Sequence, residues 1–375
     1  MDNGRVETPP YVADPVRLTP FAAWWLAPRR VGDPSSARVF ARPYREVHRR
    51  LGDWVKGGRM SRDTEPALYL HEYTAAGITV RGLVGCLDLT HLARTAGERA
   101  VFPHEGVHRR QVRELADRMF AMKLNPAPIL LVHRGPASVR GLLEATAAGP
   151  PDRDFVDHAG QQHRVWAIRD PDRLGAIDAG LAGSRLLLAD GHHRYAGYLD
   201  LLHRHPEEPG AARGLAMVID HDETPLFLGP IHRVLRGVPL DDLVAAATEL
   251  GAVVTHGKEP DVIARLGPRT LVVTDCRRWA AVELALPQGV AAVQLLHEQV
   301  LPALATGPSR IEYAHAVPDA LALASATRAT AVLMPAPDLD QVQRVVLSGR
   351  LLPEKATSFQ PKPSLGVFIR SLRDG

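Results

Sequence analysis

The stretch Arg185-Leu186-Leu187-Leu188-Ala189-Asp190-Gly191-His192-His193-Arg194-Tyr195 constrains the fold of this chain more than any other. Its unbroken apolar run has the length and pattern of a buried strand, and the acid and glycine that end it mark a tight turn. Tyr195, Tyr198, Leu199 and Leu202 then recur at helical spacing, so a helix starts directly after Gly191. His192, His193 and Arg194 fall in its first turn, where the backbone dipole is already positive. Groups that carry or can acquire positive charge there cost stability unless something negative binds them. A phosphate is the natural guest for such a helix start. In that reading Arg194 grips phosphate with a fork of two hydrogen bonds, His192 and His193 can each donate one, and Gly191 lets the anion approach the backbone. Asp190 can cap the helix, hold magnesium, or accept a proton from a hydroxyl.

The 375 residues suffice for two or three domains with a sizeable core. Hydrophobic residues make up 45% and charged residues 23%, the balance of an ordinary globular protein, and no apolar run is long enough to span a bilayer. The polar, proline-containing start lacks a signal-peptide core, which makes the cytoplasm the expected location. Cys86 and Cys276 lie far apart without metal-type spacing and read as small buried residues. A formal charge of only +3, without dense Lys/Arg runs, argues against a nucleic-acid partner.

Patterning along the rest of the chain predicts an α+β fold of mixed sheets with flanking helices. Residues 1–40 read as an irregular arm packed by Trp24 and Trp25, residues 41–236 as the main domain, and residues 237–375 as a C-terminal α/β domain. A helix is expected over 44–60, a hairpin from 67–73 and 78–85, a helix over 108–123, and a strand over 129–133. A helix over 138–146 and strands over 163–168 and 215–220 flank the central stretch. The C-terminal part reads as helices over 240–250, 290–304 and 339–348, with strands over 271–274, 280–284, 331–334 and 366–369.

Three further segments carry chemistry-bearing residues. His104-Glu105-Gly106-Val107-His108 satisfies H-E-x-x-H, which on a helix places two imidazoles and a glutamate around zinc; Pro103 and Gly106 make an established helix there unfavourable. Without the metal, Glu105 is a candidate base and His104 its orienting group. His232 and Arg233 form a second basic pair at a strand end. Lys355, Thr357, Ser358 and Lys362 share one loop near the C-terminus, a set of ammonium and hydroxyl groups that suits phosphate oxygens.

At Pro103-His104-Glu105, Asp190-Gly191-His192-His193-Arg194-Tyr195, Ile231-His232-Arg233 and the loop 353–362, the sequence resembles the family carrying domain of unknown function 1015, over nearly its full length. Two segments depart from that pattern: Arg42-Pro43-Tyr44-Arg45 stands where Pro-Pro-Tyr-Asp is expected, and Glu354 and Ala356 replace a more usual proline and serine. A more distant similarity is to the ParB and sulfiredoxin superfamily, whose Gly-x-His-Arg turn binds nucleotide phosphates and whose members include free-serine kinases; Gly191, His193 and Arg194 match that turn.

Together these readings imply a nucleotide-dependent phosphotransferase acting on a small hydroxylated metabolite, such as the free amino acid serine. Its cofactors would be ATP or ADP with magnesium. The catalytic set would be Asp190, Glu105 and His193, with Asp190 also the metal ligand. Gly191, His192, Arg194, His232, Arg233, Lys355, Thr357 and Lys362 would bind the nucleotide. The alternatives are a non-catalytic nucleotide-binding regulator and a metal-dependent hydrolase built on the histidines, of which there are 17.

Overall fold

The computed structural model describes residues 6–41, 47–287 and 289–374, so the departure at 42–45 lies outside the described residues. The chain forms two compact units, Met1–Leu226 with Pro361–Gly375, and Phe227–Gln360. The reading from sequence set its boundary near Gly237 and kept 237–375 together.

The first unit is built on a mixed sheet. Its strands are β1 (Leu18–Thr19), β2 (Leu68–Ala75), β3 (Ile78–Asp88), β4 (Val101–Pro103), β5 (Ile129–His133), β6 (Arg153–Val156), β7 (Gln162–Ile168), β8 (Leu186–Asp190) and β9 (Arg213–Asp220). They run in the order β6-β7-β2-β3-β9-β5-β8-β4, with β1 also paired to β3. The expected hairpin is present, with Ala75 opposite Ile78 across the turn. Parallel pairing occurs between β5 and β9 and between β8 and β4, while β5 and β8 are antiparallel. Strands β5 and β8 are apolar up to their last residues, His133 and Asp190, because both their faces are covered, and Leu131, Leu186 and Leu188 are fully buried. Four helices pack with this sheet: α1 (Arg109–Met122), α2 (Ala137–Ala147), α3 (Pro171–Leu181) and α4 (His192–Arg204). The N-terminal residues are more ordered than an irregular arm, with a helix at Pro34–Ala41 and Trp25 buried edge-on against Tyr69. Helix α3 escaped the sequence reading although Asp170, accepting from the Arg173 amide, and Pro171 mark its start; Gly175 and Gly180 dilute its pattern.

The second unit contains β10 (His232–Arg236), β11 (Val253–Gly257), β12 (Thr270–Thr274), β13 (Trp279–Glu283), β14 (Arg310–Ala314) and β15 (Thr330–Leu333), in the order β11-β13-β12-β15-β10-β14. Each adjacent pair is antiparallel. Two of these strands, β11 and β14, were not expected, since exposed and half-buried residues blur their alternation. Helices at Leu240–Glu249, Val317–Thr327 and Leu339–Leu347 belong to this unit, together with a π-helical turn at Leu296–Val300. The strand expected over 366–369 is displaced to Arg370–Ser371, which pairs with Leu124–Asn125 in the first unit.

Candidate functional site

Strand β8 ends at Asp190, and Gly191 follows as the residue that opens α4. The glycine adopts φ 88°, ψ 31°, a left-handed conformation that L side chains resist. Gly191 has no side chain with which to cap α4, and the hydrogen bonds of Asp190 go to side-chain cations rather than to backbone N–H groups of the helix. Both carboxylate oxygens of Asp190 are committed to cations. Oδ2 accepts from Arg194 Nη2 at 2.7 Å, and Oδ1 is paired with Lys362 Nζ. The Arg194 guanidinium is fixed at a second point, where Nη1 donates to the Pro128 carbonyl at 2.6 Å. Burial pushes the Asp190 carboxyl up, but the charges of Arg194 and Lys362 outweigh that push and hold it below the ordinary carboxylate value.

The histidines of the motif work differently from the sequence reading. His192 Nε2 accepts the backbone N–H of His104 at 3.3 Å, and His193 Nε2 accepts that of His108 at 3.1 Å. A ring nitrogen that accepts carries no proton, so in each neutral imidazole the proton sits on Nδ1. These two side chains therefore pin the segment 104–108 to the start of α4, and Nε2 of neither is a donor for phosphate. The His104 and His192 rings meet edge to face at 4.4 Å, and those of His108 and His193 stack at 5.9 Å. This arrangement also explains how two histidines are tolerated at the positive end of a helix: as neutral acceptors they present lone pairs rather than charge.

The pinned segment is extended chain leading into a short strand, Val107–His108. His104 and His108 thus do not share the face of a helix, and the zinc arrangement drawn from H-E-x-x-H is not formed. His104 is 1% exposed. Its Nδ1 contacts the Leu188 carbonyl at 2.6 Å, an atom that only accepts, so Nδ1 bears the proton and the Nε2 lone pair points to the Glu105 side, 3.8 Å from Oε1. Burial lowers the His104 pKa to about 4 against the upward pull of that hydrogen bond and of Asp190. The unfolded state then binds a proton near 6.5 that the folded state refuses until about 4. Stability from this group is complete above pH 6.5 and is lost as pH falls toward 4, by up to about 3 kcal/mol. His104→Asn, whose amide can still donate to Leu188, is expected to flatten the acid limb of an unfolding free energy versus pH curve by that amount; an unchanged limb would contradict the assignment.

Among the described residues, no group of three or more His, Cys, Asp or Glu side chains is placed to hold a metal. Asp190, taken as a magnesium ligand on sequence grounds, gives both oxygens to cations. This donor set does not fit a protein-held divalent ion.

The remaining sequence candidates divide between the units. Lys362 belongs with Asp190 in the first, whereas His232, Arg233, Lys355 and Thr357 belong to the second. Arg233 is fully buried and spends its guanidinium on its own unit: Nε donates to His297 Nε2 at 3.2 Å, Nη2 to the Lys355 carbonyl at 2.9 Å, and Nη1 to the Ile231 carbonyl. His232 Nδ1 accepts the Met334 amide at 3.0 Å. Burial and the charge of Arg233 push both His232 and His297 down to about 4. These contacts shape the loop 353–355. The sequence reading did not foresee Gln161, which touches Lys362 and Ser364. A polar residue in a hairpin turn carries no local mark of such a role.

Comparison with known proteins gives a family and several remote structural likenesses. The model of the family described as protein of unknown function (DUF1015) matches residues 27–296. No curated protein matches the chain significantly. Among solved structures, SbnI with C-terminal truncation from Staphylococcus aureus is similar at 14% identity and TM-score 0.44, over 76% of this chain and 87% of that one. A free serine kinase in complex with AMP is similar at 16% identity and TM-score 0.39, over 72% of this chain and 88% of that one. A conserved hypothetical protein from Pyrococcus furiosus shares 15% identity at TM-score 0.38, over 72% and 91%.

Proposed function

This chain belongs to the DUF1015 family, and we propose that it is a nucleotide-dependent phosphotransferase acting on a small hydroxylated metabolite, with free serine the first substrate to test. One observation carries the reading: at the start of α4, two cations from distant parts of the chain converge on a single carboxylate. Two positive charges thus meet one carboxylate at a place where the helix dipole is also positive. An anion with several oxygens can share the Lys362 ammonium and the positive end of the helix dipole without displacing Asp190.

Different roles for the two acids are supported by their surroundings. Asp190 is held ionised below its ordinary range, which makes it a poor base and a good anchor for its two cations. Glu105 is the better proton acceptor. Its carboxylate lies 3.8 Å from His104 Nε2, the ring nitrogen that the Leu188 contact leaves without a proton. In the reaction the hydroxyl oxygen bonds to the terminal phosphorus of ATP, the bond from that phosphorus to the bridging oxygen breaks, ADP leaves, and the hydroxyl proton ends on Glu105.

Calorimetric titration with ATP and ADP, followed by phosphorus NMR of mixtures of ATP with an amino-acid panel, tests this reading. Binding and a new phosphomonoester signal are expected, and Glu105→Gln is expected to keep the binding while lowering turnover at least about 100-fold. Absence of nucleotide binding overturns the whole reading; binding with no product from any hydroxylated amino acid overturns the catalytic half and leaves a nucleotide-binding regulator.

A further inference from the structure

Lys362 has no regular secondary structure to hold it, yet it reaches Asp190 across 172 positions of sequence. What fixes it is the turn between β6 and β7. Gln161 Nε2 donates to the Lys362 carbonyl at 3.0 Å, and Gln161 Oε1 accepts the Ser364 N–H at 3.2 Å. One side-chain amide thus reads the backbone on both sides of Pro363, much as a neighbouring strand would. The turn is itself stiffened: the Asp157 carboxylate accepts the Gln161 N–H at 2.9 Å, and the Asp157 N–H donates to the Gln161 carbonyl at 2.9 Å.

Behind the turn lies a buried chain of imidazoles. Asp157 Oδ2 is 3.1 Å from His163 Nε2, and His163 Nδ1 is 3.0 Å from His71 Nε2. The carboxylate can only accept, so His163 carries its proton on Nε2 and accepts from His71 at Nδ1. All three side chains are buried, with Asp157 at 7% and the histidines at 1% or less. At the other end of the segment, the Tyr73 hydroxyl donates to the Pro361 carbonyl at 2.7 Å, and Tyr73 lies two residues from His71 on the same face of β2. The segment carrying Lys362 is therefore gripped at Pro361, at Lys362 itself and at Ser364.

We infer that Gln161 is a positioning residue for Lys362: its amide fixes the backbone from which the ammonium reaches the phosphate side of Asp190, with the Asp157-His163-His71 chain as its buttress. The part of this inference that concerns ligand binding rests on the phosphotransferase reading above; the placement of Lys362 does not.

Full-length Gln161→Ala, Lys362→Ala and the double variant decide it, with Gln162→Ala as the neighbouring control. Acetic anhydride labelling read by mass spectrometry follows Lys362, since an amine held against a carboxylate is less open to the reagent than a released one. In Gln161→Ala, labelling of Lys362 is expected to rise about threefold or more, and the ADP Kd to rise about three- to tenfold, the loss of two modest hydrogen bonds. Gln161→Glu, which keeps the acceptor for Ser364 but loses the donor to Lys362, is expected to fall between. The effect on Kd is expected to vanish in the Lys362→Ala background. Unchanged labelling in Gln161→Ala overturns the inference, as does an equal loss of ADP affinity with and without Lys362. Where the unaltered protein binds no ADP, the phosphotransferase reading fails, and labelling alone still decides whether Gln161 places Lys362.

Discussion

Arg194→Ala is expected to lower the unfolding free energy by about 2–3 kcal/mol and, on the proposed function, to abolish nucleotide binding. Both losses come from one guanidinium. It satisfies the Pro128 carbonyl and one oxygen of Asp190, and its side chain is only 24% exposed. Truncation leaves that carbonyl unpaired beside the sheet and leaves Asp190 with Lys362 alone. Lys362 is 45% exposed, so its pairing is screened by water and adds little stability by itself. Asp190 then faces one cation instead of two, and anion binding loses much of its electrostatic support. Arg194→Lys is expected to restore the charge but not the stability, because a single ammonium cannot span the carbonyl and the carboxylate as a planar fork does. Urea denaturation of the three proteins, each with an ADP titration, checks this. Full nucleotide affinity in Arg194→Ala would remove Arg194 from the site.

The second large effect is expected at Gly191. A Cβ there would lie 3.0 Å from Arg194 Nη2 and 3.0 Å from Ile129 Cγ2, with the backbone at φ 88°. Ile129 is fully buried at the start of β5 and has nowhere to move. Arg194 can move only by giving up Asp190 or Pro128. Gly191→Ala should therefore cost about 2–4 kcal/mol, combining left-handed strain with overpacking. Gly183 supplies the internal control. It has φ 77° but nothing within 4 Å of an added Cβ, so Gly183→Ala should show the conformational cost alone, about 1–2 kcal/mol. The difference between the two variants in denaturant midpoint measures the contact. Equal losses would mean that Arg194 is not held against the turn as described.

The contrast between these two glycines shows where sequence information stops. Both positions can be read as turns, since glycine next to an apolar run has few other uses. Only the fold shows that Ile129, from a strand 62 positions earlier in the numbering, closes over one of them and leaves the other open. The same limit applies to the histidines. Their place in the first turn of α4 follows from the spacing of Tyr195, Tyr198 and Leu199, but spacing says nothing of what a ring nitrogen will face. His192 and His193 face backbone N–H groups of the segment 104–108, and this fixes them as acceptors. The H-E-x-x-H string illustrates the reverse case, in which residue types suggest chemistry and the backbone denies it. Pro103 and Gly106 already disfavoured a helix there, and the chain is extended.

Sequence alone determined the strand-turn-helix at 186–204, the hairpin of β2 and β3 and the α+β class, because periodicity and turn residues act over a few neighbouring positions. The tertiary structure alone decided that Asp190 is shared by Arg194 and Lys362, that Gln161 holds the backbone of Lys362, and that Lys355 and Thr357 lie in the other unit. Such pairings depend on which distant segments the sheet order brings side by side, and the long-range closure of a chain leaves no periodic trace in the residues it joins.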